Sequence, residues 1–264
     1  MTVRIFVGCS ANGEDAEAAA MLEYTLRHYA TDDIELHWMT LSQDPTSPWY
    51  SNPRKNEGWV TRGWATPFSA FRWAVPHVCH FKGRAIYMDV DMIARDDIVK
   101  LWLQDIPANK AVLAKDANHS CVMLFDCEKI KPHLPSFEAL RRTELLYRKA
   151  RDVLPKMGAW FAGNWNCLDG ENYKTLADPD IKNIHFTKVE TQPHLKWALP
   201  RLKASGQQHW NRQSEPQPHA RGDVAPLVDY IWGKAQSAGY TVRNYIPAQP
   251  FGRYDAVRGG ARAA

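Results

Sequence analysis

The chain has 264 residues, 45% hydrophobic and 23% charged, with a formal net charge of +4. That balance supplies a core for one soluble globular domain and excludes disordered and fibrous classes. No apolar run reaches the roughly 18 residues needed to span a bilayer, and Met1–Val7 is too short for a secretory signal.

Five cysteines (Cys9, Cys79, Cys121, Cys127, Cys167) are scattered and form no C-x-x-C. An odd, scattered set argues against a disulfide framework or zinc cluster and for a reducing compartment, so a cytoplasmic location is expected. Charge is uneven: ten Lys/Arg against four Asp/Glu from Leu195 onward, and 23 against 25 before it. A basic C-terminal quarter is either a solvated face or a peripheral contact with an anionic surface. No base-reading helix or aromatic RNA-binding signature accompanies it, so no nucleic acid partner is expected.

In chain order, Val3 to Val7 reads as a buried strand, followed by the tight loop Gly8-Cys9-Ser10-Ala11-Asn12-Gly13. A helix with Ala18, Met21, Leu22, Thr25, Leu26 and Tyr29 on one face comes next. Strand, small-residue loop and helix form the first unit of an open parallel sheet, whose ligands bind beyond the carboxyl ends of the strands. In the loop, Gly8 would let backbone approach a nucleotide, and Ser10 and Asn12 offer groups for base or ribose. An ordinary strand-to-helix turn uses the same residue types.

Ile34 to Trp38 alternates as a second strand. From Ser42 to Gly63 the chain is polar, broken by Pro45, Pro48, Pro53 and Gly58, with Trp49, Tyr50 and Trp59 interspersed. A loop of this length is either a lid or is pinned to the body by its aromatics. Thr66-Pro67-Phe68 then reads as a helix start, with Phe68, Phe71 and Val75 at helical spacing until Pro76 closes it.

The most informative stretch is Arg84-Ala85-Ile86-Tyr87-Met88-Asp89-Val90-Asp91-Met92. An apolar strand runs into two carboxylates one residue apart. In an extended chain Asp89 and Asp91 share a face while Val90 turns to the core. Two convergent carboxylates repel unless a cation sits between them, and a hard divalent ion is the usual answer. The segment continues to Leu101-Trp102, with Asp96 or Asp97 able to cap a short helix.

From Thr66 to Trp102 the chain resembles the family 8 retaining glycosyltransferases, the glycogenin and lipopolysaccharide galactosyltransferase group. The resemblance rests on Arg72, the strand Ile86–Met88, Asp89-Val90-Asp91 and Leu101-Trp102, in that order. It implies a single α/β domain of the glycosyltransferase A type, with a mainly parallel sheet between helices. The domain would span 1–250, a nucleotide-binding half at about 1–105 and an acceptor and metal-completing half at about 106–250. Residues 251–264 are expected to form a flexible basic tail.

The resemblance also implies a donor site containing Gly8, Ser10, Asn12, Arg72, Asp89 and Gln192. Ser10 stands where many relatives carry an acidic residue near the base. The implied metal is Mn²⁺ or Mg²⁺, held by Asp89, Asp91 and His185.

Beyond this block, Ala111–Ala114 and Cys121–Asp126 read as buried strands, and Glu138 to Val153 as a helix. His119-Ser120-Cys121-Val122 stands where relatives have Asn-Ala-Gly-Val. In Gly158–Leu168, Trp165-Asn166 resembles the acceptor-side segment, with Asn166 also among the catalytic residues beside Asp89 and Asp91. Trp160 and Phe161 are expected in the core.

A short strand ends at His185, in a segment similar to the relatives' His-x-x-Gly-x-x-Lys-Pro-Trp but one residue longer. There Gln192 replaces the lysine, with Lys188 or Lys196 as substitutes. Asp223 to Ala238 reads as the last helix.

The expected function is transfer of a hexosyl group from a nucleotide diphosphate sugar, UDP-linked, to a glycan or other hydroxyl acceptor with retention. A catalytically inactive sugar- or nucleotide-binding relative is the alternative. A sugar nucleotidyltransferase is disfavoured because no Gly-rich basic loop follows the first strand.

Overall fold

The structure is a computed structural model that describes residues 1–142, 152–169, 171 and 175–254. Strand β1 (Thr2–Gly8) carries the apolar run Ile5, Phe6 and Val7, which is buried. Helix α1 (Ala16–Tyr29) follows, then β2 (Asp33–Met39). On α1, Ala19, Leu22 and Leu26 face the main core, while Ala20 and Met21 join a second cluster with Ile93, Ile184, Val228 and Trp232. Each of its buried leucines contributes about 1.5–3 kcal/mol. Tyr29, expected on the same face, is exposed.

The loop after β2 contains a small hairpin, β3 (Ser51–Asn52) with β4 (Glu57–Gly58). Its tryptophans pin it to the body. Trp59 is buried, contacts Trp64 and Phe71 edge-on, and donates its indole N–H to Pro48 O at 2.8 Å.

The next helical stretch differs from expectation. A 3₁₀ turn (Phe71–Ala74) leads into α2 (Val75–Val78), and Pro76 lies in the first turn of α2 rather than closing the segment. A proline lacks an N–H and has a fixed φ, both tolerated in a first turn.

Strand β5 (Arg84–Asp89), β6 (Met92–Ala94) and α3 (Val99–Trp102) complete the central block. Asp97 Oδ1 accepts the Val99 N–H at the start of α3. Then come β7 (Val112–Ala114), β8 (Val122–Asp126), α4 (Cys127–Ile130) and α5 (Phe137–Arg142). Only the start and end of the helix expected at 138–153 fall within the described residues, the latter as part of α6 (Val153–Met157).

Strands β9 (Gly158–Trp160), β10 (Cys167–Leu168) and β11 (Asn183–His185) precede α7 (Leu195–Ala204) and α8 (Val224–Ser237).

The main sheet has the order β2-β1-β5-β8-β7-β9. Pairs β1–β2, β1–β5 and β7–β9 are parallel, while β8 runs antiparallel to both β5 and β7. A second sheet, β10-β11-β6, stands beside the carboxyl end of β5. The architecture is thus a mixed α/β fold with a mainly parallel central sheet. All five cysteines are free thiols. Among the described residues no helix is long and apolar enough to cross a membrane.

The described part of the expected tail is docked. Phe251 is buried, its N–H reaches Ala11 O, and Tyr254 Oη accepts the Ala11 N–H at 2.8 Å. Residues 255–264 lie outside the described residues.

Candidate active site

Strands β1 and β5 align so that Gly8 pairs with Asp89. Both strands therefore end together, and the loop Cys9–Asp15 leaves the sheet beside the Asp89-Val90-Asp91 turn. Tyr87 and Asp89, two apart on β5, share a face. The Tyr87 hydroxyl donates to Asp89 Oδ1 in a short contact. Arg72 donates from Nη2 to Asp89 Oδ1 and Oδ2 at 3.0 and 3.3 Å, from Nη1 to Ser120 Oγ at 2.9 Å and from Nε to Ser69 O at 2.9 Å. Its guanidinium lies 5.0 Å from the centre of the Tyr87 ring. Burial pushes the Tyr87 hydroxyl well above its usual pKa, against the opposing pull of Arg72.

The two aspartates do not continue one extended strand. β5 ends at Asp89, the chain bends through Val90 and Asp91, and β6 begins at Met92. The bend replaces the alternation that places both carboxylates on one face. Val90 is buried as expected.

Asp91 instead turns toward β11, where His185 pairs with Met92 and the Phe186 N–H donates to Asp91 O at 2.9 Å. His185 Nε2 stands 3.3 Å from Asp91 Oδ1 and 3.9 Å from Asp89 Oδ2. The three expected ligands are therefore brought together around His185.

Asn166, fully buried, faces the other ring nitrogen: its Oδ1 is 2.9 Å from His185 Nδ1. An Nδ1–H held by the amide oxygen turns Nε2 toward the carboxylates. Burial pushes the imidazole down, but the facing Asp91 carboxylate and Cys121 outweigh it and hold the pKa of His185 well above its usual value.

Gln192 does not extend into open space. Its Nε2 donates to Asp91 Oδ2 at 2.6 Å and to Phe186 O at 2.8 Å, so it steadies the carboxylate. Asp91 Oδ1, buried, accepts no hydrogen bond. An orphaned carboxylate oxygen beside an imidazole nitrogen and a second carboxylate fits a cation site.

Among the described residues, the set with ligand atoms all within 4.8 Å of one another is Asp89, Cys121 and His185. Cys121 was not anticipated. It reaches the site because β8 runs antiparallel to β5 and the Asp89 N–H donates to Cys121 O at 3.1 Å. No local pattern signals a pairing between strands more than thirty residues apart. Tyr87 was legible in principle, from its i−2 spacing to Asp89.

Other expected contacts are used within the chain. A Cβ on Gly8 would lie 2.7 Å from Tyr87 Oη and 2.8 Å from Phe68 Cδ2, so this glycine permits side-chain packing rather than nucleotide approach. Ser10 and Asp15 bond each other reciprocally: the Ser10 N–H donates to Asp15 Oδ2 and the Asp15 N–H to Ser10 Oγ. Asn12 exchanges hydrogen bonds with Gly252.

Trp165 is 2% exposed, with its indole N–H on Ala162 O, and offers no ring face to an acceptor. Trp160, expected in the core, is 52% exposed instead, because it ends the outermost strand of the sheet. Lys196 pairs with Asp229. His119 is held by Asp116, with Nδ1 at 2.8 Å from both carboxylate oxygens.

No protein-family model matches the sequence, and no curated protein matches it. Solved structures are similar in fold. The galactosyltransferase LgtC, in complex with donor and acceptor sugar analogs, is 12% identical with a TM-score of 0.52 over 90% of this chain and 96% of LgtC. The apo-form glycosyltransferase GlyE of Streptococcus pneumoniae TIGR4 is 13% identical with a TM-score of 0.52, over 91% of this chain and 64% of that one. The apo WbbM bifunctional glycosyltransferase is 12% identical with a TM-score of 0.51, over 73% of this chain. The match spans 46% of WbbM, less than half its length. At these identities the likeness is one of fold, and the chain has the A-type glycosyltransferase fold.

Proposed function

We propose that the protein is a family 8-like, metal-dependent glycosyltransferase, moving a hexosyl group from a UDP-linked sugar to a glycan or other hydroxyl acceptor with retention. The observation that carries this reading is the convergence of Asp89, Asp91 and His185 at the carboxyl end of β5, on a fold shared with glycosyltransferases. Open α/β sheets bind their ligands at that edge.

Asp89, Asp91 and His185 would hold the divalent ion, Mn²⁺ or Mg²⁺. When bound, such an ion supplies neutralisation of charge developing on a leaving diphosphate. Asn166 fixes the imidazole, and Gln192 fixes one oxygen of Asp91. Arg72, expected at the donor, directs its guanidinium to Asp89, Ser120 and Ser69 and so positions the Asp89 carboxylate.

Calorimetry with UDP and GDP, with and without Mn²⁺, tests the donor site, and a panel of nucleotide sugars tests turnover. Nucleotide binding should require metal, and Asp91→Ala should lower affinity at least tenfold, about 1.4 kcal/mol. Equal affinity for Asp91→Ala and the parent sinks the assignment.

A second reading, an inactive nucleotide- or sugar-binding relative, draws support from the intrachain engagement of Gly8, Ser10 and Asn12. Metal-dependent nucleotide binding with no cleavage of any donor in the panel would favour it.

A further inference from the structure

We propose that Cys121 is itself a ligand of the metal at Asp89 and His185, and that the site therefore prefers a thiophilic ion such as Zn²⁺ to Mn²⁺ or Mg²⁺. The inference rests on reading the cluster as a metal centre. It departs from the Asp89, Asp91 and His185 set by bringing sulfur into the first ring of ligands.

The geometry is local and built from three elements. A carboxylate oxygen of Asp89 at the end of β5, the sulfur of Cys121 just before β8, and a ring nitrogen of His185 at the end of β11 all lie within 4.8 Å of one another. An ion with bonds of roughly 2.0–2.3 Å to such atoms would draw this set together.

Cys121 is not free to drift from the group. Its carbonyl accepts the Asp89 N–H, so backbone pairing fixes the sulfur beside the carboxylate. Asp91 lies outside this set but faces it, with Oδ1 accepting no hydrogen bond and lying 3.3 Å from His185 Nε2. With Asp91 the donors are one sulfur, one nitrogen and carboxylate oxygens, a mixture that Zn²⁺ accepts.

Chemistry decides the preference. Thiolate ligands select Zn²⁺ and disfavour Mg²⁺ and Mn²⁺, which take oxygen. Arg72 Nη1 donates to the Cys121 sulfur at 3.7 Å, which holds that sulfur on the Asp89 side of the site. Binding exchanges the S–H bond for a sulfur–metal bond and releases one proton to solvent, with no change of oxidation state.

The test uses the full chain and the metals alone. Co²⁺ serves as a spectroscopic substitute for Zn²⁺. The parent should develop a thiolate-to-cobalt charge-transfer band in the near ultraviolet, and Zn²⁺ should abolish it. Calorimetry should give Zn²⁺ an affinity at least about 100-fold above that of Mn²⁺.

Cys121→Ser is close to isosteric, and its folding is checked by thermal unfolding. It should lose the band and at least about tenfold in Zn²⁺ affinity, while Mn²⁺ affinity changes less than about threefold. Cys167→Ser should keep the band, since Cys167 is buried outside the cluster.

A folded Cys121→Ser protein with an unchanged cobalt band and unchanged Zn²⁺ preference overturns the proposal. If Mn²⁺ binding still depends on Asp91 and His185 in that case, the metal centre stands without sulfur. A parent protein that binds none of these ions removes both.

Discussion

Tyr87 and Gly8 show how single positions on adjacent strands set the site. Tyr87 holds Asp89 through its hydroxyl, and Gly8 leaves the room in which that hydroxyl sits. In Gly8→Ala the new methyl group would overlap Tyr87 Oη and Phe68, costing about 1–3 kcal/mol in overpacking. Thermal unfolding should show that loss, and it should shrink in a Tyr87→Phe background, where one of the two clashes is gone. Additive losses in the double variant would refute the account.

His185 gives a second residue-scale prediction. Its folded pKa is raised, so the metal-free site holds a proton there to a pH above 6.5. A metal must displace that proton, so affinity should fall as pH falls, by about tenfold per unit below the His185 pKa. His185→Ala should weaken Mn²⁺ binding, flatten this dependence and remain folded. Parent-like Mn²⁺ affinity in a folded His185→Ala excludes the ligand role. The paired aspartates were legible because a strand that ends in charge is a local pattern, and His185 was reached only through the resemblance to family 8 glycosyltransferases. Cys121 was not legible, since its place depends on a distant strand pairing.

At the scale of elements, α7 begins beside a buried, uncharged histidine. His194 precedes the helix, is 1% exposed, and its Nε2 has no hydrogen-bond partner. Burial pushes its pKa down to about 4, with the attraction of Asp15 opposing and the neighbouring His209 and Arg201 reinforcing the shift. His209, also buried, is shifted the same way.

The unfolded chain takes up a proton near pH 6.5 and the folded chain does not until about 4. Protonation therefore favours unfolding in that window. Stability from this group is complete above pH 6.5 and is lost as pH falls toward 4, about 3 kcal/mol in all. Urea unfolding at pH 7.5 and pH 4.5 measures it. His194→Gln should show a shallower decline, and an identical slope would show that His194 does not carry the effect.

The positions of β1, β2, β5, β7, β8 and β11, and of α1 and α8, could be read from apolar runs and periodicity, while the short strands β3, β4, β6, β9 and β10 could not. The direction of β8 could not, because alternation is the same whichever way a strand runs. The same limit explains the exchange of Trp160 and Trp165. Both are aromatic, and only the position of β9 at the sheet edge decides which is exposed.

Across the whole molecule, the last described segment closes onto the first loop. Phe251 is buried, Gln43 Nε2 donates to Phe251 O at 2.6 Å, Gly252 exchanges hydrogen bonds with Asn12, and Tyr254 bonds both Ala11 and Glu14. Composition pointed to a basic tail because it counts charges and does not register two aromatic anchors. These contacts occupy the main chain of Ala11 and the side chain of Asn12, on the loop that leaves the sheet beside Asp89.

A nucleoside that uses those groups must first displace Phe251–Tyr254. A chain ending at Ala248 should therefore lose stability, by about 1–3 kcal/mol for the buried phenylalanine. The Ala11 amide should also exchange faster, having lost the Tyr254 oxygen. In the presence of Mn²⁺ the shortened chain should bind UDP more tightly than the full chain, since no displacement is needed. Hydrogen exchange and calorimetry on the two chains measure both effects. Faster exchange at Ala11 with unchanged UDP affinity would place the nucleoside elsewhere along the sheet edge. Unchanged exchange would show that the segment does not hold the loop.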